Sequence, residues 1–223
     1  MIGILLALQV NNWNEARKEI QKEIGYIDGM IADIQNDLVN YDFRIEIVRA
    51  KEESLQRLRD VLQDKEMSDP KSLAVDVIRG AMFGWYHGGP VSSSFDALIG
   101  SGNIEIIRDE GIRKQIVEYY DNSVSAQLRI DERKTSYPQI SYQLIPRNSP
   151  IPTAPNMREA DIQNDLTDQQ LIQIEENIRQ SSIRDEIIGE INLARFLMRV
   201  NLTLKEQANS LKDSLESYLE NIN

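Results

Sequence analysis

The chain carries a single histidine, in the stretch "WYHGGPVSSS". His87 stands close before Ser92, Ser93 and Ser94, and a base near a hydroxyl is what nucleophilic catalysis requires. The plainer reading is a loop histidine followed by serines that cap a short helix, "FDALIG". A di-metal carboxylate site in a helical bundle needs two Glu-x-x-His pairs, and zinc sites of several histidines need more than His87. With no cysteine in the chain, disulfides, thiolate catalysis and cysteine-ligated zinc are excluded. "GSGNIE" lacks the third glycine and the preceding strand of a dinucleotide fingerprint, and no phosphate-loop pattern occurs. Carboxylates are plentiful, but nothing selects one pair for glycoside hydrolysis. The expectation is a non-enzymatic protein with no catalytic, cofactor or metal residues.

One region does concentrate side chains suited to recognition. Between residues 83 and 120 fall Phe83, Trp85, Tyr86, Phe95, Tyr119 and Tyr120, six of the fourteen aromatics. They read first as core rings that fix a helix turn. The functional alternative is a ligand or partner surface made by Trp85, Tyr86, His87 and Phe95.

The elements that would hold such a surface are helical. From Ile20 the apolar residues Ile24, Ile27, Ile31, Ile34, Leu38, Tyr41, Ile45, Val48, Leu55 and Leu62 follow in steps that keep a 3.5-residue period, with Glu52 and Arg59 in two skipped slots. A second seam runs through Ile187, Ile191, Ala194, Met198, Leu204, Ala208, Leu211, Leu215, Tyr218 and Ile222. Two long helices at opposite ends of the chain should therefore pair antiparallel, with shorter helices packed between them. Pro70 should open one of these, Asp109 should cap another, and Pro138 should bend or end it. Thr167 and Gln170 have capping-box spacing. The proline-rich stretch 146–167 reads as a long loop. The fold expected is all-α, an elongated bundle, with residues 15–223 forming a single helical domain.

The charge pattern narrows the partners. A net charge of −11, with the excess acid on the two end segments and no basic patch, argues against nucleic acid.

The N-terminus poses a separate question. Ile2, Ile4, Leu5, Leu6, Leu8 and Val10 point all around a helix, so the run has no polar face. It is too short to cross a bilayer, which takes roughly 20 residues. A buried helix start is one reading. The other is the second half of a transmembrane anchor begun upstream of Met1, with Trp13 at the membrane interface and residues 1–14 inside the anchor.

"IGILLALQVNNWNEARK" and "SSSFDALIGSGNIEIIRDEGIRKQIVEYY" together resemble a bacterial membrane-protein family, domain of unknown function 6090. The resemblance implies one span of the inner membrane, the N-terminus inside, and a helical domain on the periplasmic side. It implies no activity. The expected function is thus a membrane-anchored interaction or scaffold protein of the cell envelope, with the membrane, a second copy or an envelope protein as partner. The alternative is a sensor-like, extracytoplasmic ligand-binding bundle.

Overall fold

A computed structural model describes residues 2–63, 70–81, 88–133, 135–145, 166–180 and 182–222. Among them are seven α-helices and no strand: α1 (Ile2–Val61), α2 (Pro70–Ala81), α3 (Ser93–Gly100), α4 (Glu110–Asp131), α5 (Tyr137–Leu144), α6 (Asp168–Gln180) and α7 (Arg184–Ile222). A 3₁₀ turn, Ile104–Ile106, separates α3 from α4. The protein is all-α, and its two long helices are the terminal ones.

The chain forms two compact units. The first comprises Met1–Asp42, Gly89–Ala126 and Leu202–Asn223; the second comprises Phe43–Gly88 and Gln127–Asn201. In the first, α1 and α7 run antiparallel, Glu23 beside Tyr218 and Asp42 beside Lys205. In the second they do the same. Val48 shares a cluster with Ala194 and Leu197, while Leu55 and Leu58 pack with Ile183, Ile187 and Ile191.

The heptad seams are spent on this intramolecular packing. Ile27, Met30, Ile34, Leu204, Ala208, Leu211 and Leu215 are buried in the first unit, and each of these except the alanine contributes about 1.5–3 kcal/mol by leaving water. In the second unit the seam of α1 departs from the expected slots. Glu52 and Arg59 are half-buried, and the core positions are Lys51, Leu55, Leu58 and Val61. The slot read as Glu52 is taken by a buried lysine, because Glu190 of α7 lies opposite.

Local signals set most helix ends. Asp109 Oδ1 accepts the backbone N–H of Ile112 at 2.9 Å, which starts α4 as its capping position requires. Thr167 and Gln170 close a reciprocal cap on α6, with the Thr167 N–H on Gln170 Oε1 at 2.9 Å and the Gln170 N–H on Thr167 Oγ1 at 3.3 Å. Pro138 behaves differently from expectation. The preceding helix α4 has already ended at Asp131, and Pro138 lies in the first turn of α5, where a missing N–H costs nothing. The proline-rich stretch 146–165 lies outside the described residues.

The placement as a single-pass inner-membrane protein with a periplasmic domain is overturned. No helix among the described residues is long and apolar enough to cross a membrane. The physical reason is visible in α1. The apolar run ends at Val10, and Asn11, Asn12, Asn14, Glu15, Arg17 and Lys18 follow in the same helix. Nine residues at about 1.5 Å each rise about 14 Å, half of what a hydrocarbon core needs.

Candidate functional site

Along α1 in the first unit, Gly29, Asp33, Asp37 and Tyr41 recur every fourth residue and so form one row on the helix surface. Asp33 and Asp37 are buried, as is Glu23 further up the helix. A buried carboxylate persists only when hydrogen bonds replace its water. Here the chain between Gly89 and Arg108 supplies most of them.

Asp33 caps α3 from outside that helix. Its Oδ2 accepts the Ser94 N–H at 2.8 Å, and its Oδ1 accepts the Ser93 hydroxyl at 2.8 Å. Serine at the cap, Ser92, makes no side-chain cap bond to the backbone. Its hydroxyl donates to Asp96 Oδ2 instead, at 2.7 Å. The orphan first-turn donor and the positive end of the helix dipole are thus met by a tertiary carboxylate. Gly29, one turn before Asp33, makes the approach fit, since a methyl there would stand 2.5 Å from Ser94 Oγ.

Asp37 holds the residues just before α3. Its Oδ1 accepts the Val91 N–H at 2.8 Å, and its Oδ2 accepts the Tyr119 hydroxyl at 2.7 Å. Tyr41 OH lies 3.3 Å from Tyr119 OH, so Tyr41 is the donor of that pair. Burial first, then Tyr41 and Asp37, hold the Tyr119 phenol well above the ordinary tyrosine value. Glu23 fixes the far end of the segment. Its Oε1 accepts the Arg108 N–H at 2.8 Å and Tyr218 OH at 2.6 Å, and its Oε2 accepts Arg108 Nε at 2.7 Å. The bond to Glu23 raises the Arg108 pKa.

These carboxylates are buried and bind the protein's own chain, so what they do in this fold is position it.

An open groove of about 550 Å³ lies beside this cluster, between the first turn of α4 and the last turns of α7. Asp109, Gln115, Ser210, Asp213, Ser217 and Asn221 are among its lining residues. Several polar groups there turn back on their own helices: Ser214 Oγ donates to Ser210 O, and Asn221 Nδ2 to Ser217 O.

The residues singled out from sequence fare unequally. Phe95 is half-buried and stacks on Tyr120, with ring centroids 4.1 Å apart, so it serves packing in the first unit. Trp85, Tyr86 and His87 lie outside the described residues. Leu6, Leu8, Val10 and Trp13 are each more than half exposed, Trp13 at 63% with Arg17 over its ring at 5.9 Å. Ile2, Ile4 and Leu5 belong to the same helix. Among the described residues no group of three or more His, Asp or Glu side chains could hold a metal ion.

Asp33, Asp37 and Glu23 were missed from sequence, since acidic residues on a heptad helix read as a solvated face. A signal did exist: the four-residue row from Gly29 to Tyr41 places two carboxylates on one line with a glycine and a tyrosine.

The class defined by this architecture is an all-α protein of long antiparallel helices, with a short-helix segment held on α1 by buried carboxylates. More narrowly, the chain belongs to a family of unknown function, DUF6090, whose profile matches residues 1–130. That match takes in all three carboxylates and the whole segment they hold. No curated protein and no solved structure matches the chain.

Proposed function

We propose that this protein is a non-enzymatic helical interaction module, a scaffold whose ordered helices present a contact surface to another protein chain. The observation that carries the reading is the contrast along α1. Its seam is buried or half-buried from Ile27 onward, yet Leu6, Leu8, Val10 and Trp13 are more than half exposed on the same helix. Apolar side chains clustered in water mark contact sites more often than chance. The polar cluster supports the reading by being consumed internally, which leaves positioning as its role. Ile34 and Leu211 are poor places to probe association, since both are buried within the first unit.

The test is sedimentation velocity across a wide range of concentration, with Leu6→Gln/Val10→Gln as the comparison. Self-association that weakens in the variant, with unchanged helix content by circular dichroism, is the expected result. A wild-type chain that stays monomeric throughout would remove the second copy as partner. Equal association by both proteins would remove this end of α1 as the contact.

The groove beside α4 favours a second reading, a ligand-binding bundle. A bound ligand would raise thermal stability by RT ln(1 + [L]/Kd). Asp213→Ala should abolish that gain without loss of helix content.

A further inference from the structure

The two heptad seams leave the alignment of α1 and α7 in the second unit underdetermined by apolar packing. Val48 on α1 packs with Ala194 and Leu197 of α7, and Leu55 and Leu58 pack with Ile187 and Ile191. Sliding one helix past the other by seven residues sets apolar side chains against apolar side chains again. Something directional has to choose among these alignments.

We infer that the buried pair Lys51–Glu190 is that device, a lock that selects the register of α1 against α7. Lys51 is 1% exposed and Glu190 is fully buried, each within its helix's apolar seam. They form an ion pair in the core. The lock also gathers two other elements. Lys51 Nζ donates to Gly80 O in the last turn of α2 at 2.8 Å, and the Thr135 hydroxyl, just before α5, donates to Glu190 Oε2. Gly80 admits this because a methyl there would stand 2.7 Å from Leu55 and 2.9 Å from the Tyr137 hydroxyl.

A slip of one heptad separates Lys51 from Glu190 whichever way it goes. In one direction Lys51 meets Leu197 and Glu190 meets Leu58; in the other, Glu190 meets Arg44 but Lys51 meets Ile183 and has no carboxylate. Either way a buried ammonium loses its carboxylate, which is among the costliest errors a core can make. A single polar pair in an apolar seam is a recognised way to set register at some expense of stability. The surrounding charges agree with this assignment. Arg57 is engaged by Asp76 through two bonds at 2.7 and 2.9 Å, and Arg195 by Glu52 at 2.7 Å, so neither is the principal partner of Glu190.

The absence of cysteine makes the register directly readable. Glu52→Cys paired with Arg195→Cys reports the native alignment, because those side chains already touch. Glu52→Cys with Ile188→Cys, or with Leu202→Cys, reports a slip of one heptad either way. Each pair is treated with a short bis-maleimide in the otherwise native chain and in Lys51→Met/Glu190→Leu. The native background should cross-link 52 to 195 alone. The apolar background should keep its helix content by circular dichroism and gain a slipped cross-link at a yield comparable to the native one. Retained helix content with only the native cross-link would overturn the inference, since apolar packing would then suffice for register. Loss of helix content would overturn it too, because the pair would be holding the fold together instead of choosing among alignments.

Discussion

The two units put buried charge on α1 to opposite uses, one holding a short segment against the helix and the other pairing it with α7. In the first, three carboxylates on α1 each accept a backbone N–H from the 89–108 segment, and a net negative charge is spread over many donors. In the second, one lysine and one glutamate neutralise each other inside an apolar core that includes Leu55, Leu58, Val75, Ile174, Ile178 and Ile187. The difference follows from what has to be held. A short helix and its flanking turns have orphan donors that apolar packing cannot satisfy, so carboxylates serve there. Long helices have satisfied backbones and need only an alignment, so a single pair is enough.

Removing one partner of the Lys51–Glu190 pair should have the largest effect on stability. Lys51→Met leaves Glu190 buried and uncompensated, and chemical denaturation should show a loss of about 3–5 kcal/mol. Asp37→Ala should cost less, about 2–3 kcal/mol, by orphaning the Val91 N–H and the Tyr119 hydroxyl. Hydrogen exchange should distinguish the two variants. The Asp37 change should raise exchange around Val91 and α3 while amides of α6 keep their protection. Smaller again is Gly29→Ala, which pushes a methyl against Ser94 and should cost about 1 kcal/mol, read as a shift in thermal midpoint. Smallest is Glu175→Gln on the exposed face of α6, where loss of the pair with Arg179 should fall near 0.3–0.5 kcal/mol.

The buried phenols and the buried lysine respond to alkaline pH with opposite sign. Burial raises the phenols of Tyr119 and Tyr120 in the first unit and Tyr137 in the second above their ordinary value of 10.0. Above pH 10 the unfolded chain loses these protons while the folded chain keeps them, so stability falls as pH rises. Lys51 works the other way. Burial depresses its pKa below 10.5, so the unfolded chain holds more protons in the window beneath that value, and this contribution grows as pH rises toward it. Tyr119→Phe should therefore flatten the alkaline loss of stability, whereas Lys51→Met should remove the opposing gain. Equilibrium unfolding at a series of pH values between 8 and 11 reads both slopes.

How much of this was legible before the structure depends on the range over which each cause acts. The 3.5-residue period in 20–62 and 187–222 announced two long helices and their antiparallel pairing, because periodicity is a property of one strand of sequence. Asp109 and the Thr167/Gln170 box announced their caps for the same reason, since donor and acceptor lie within three residues. The cap of α3 was illegible: its serines suggested a local cap, and the acceptor is sixty residues away on α1. The apolar run at 2–10, with Trp13 after it, pointed toward part of a membrane span, but none of the described helices is long and apolar enough to make one, since α1 turns polar after Val10.

Periodicity, composition and motifs established an all-α chain, its two longest helices, the absence of cysteine chemistry and the family to which it belongs. Folding set which donors the buried acidic residues of α1 meet, and it put Lys51, not Glu52, into the core. Charge on a helix looks the same in sequence whether it faces water or a buried donor. The partner that makes the distinction lies far along the chain and is brought near only by folding.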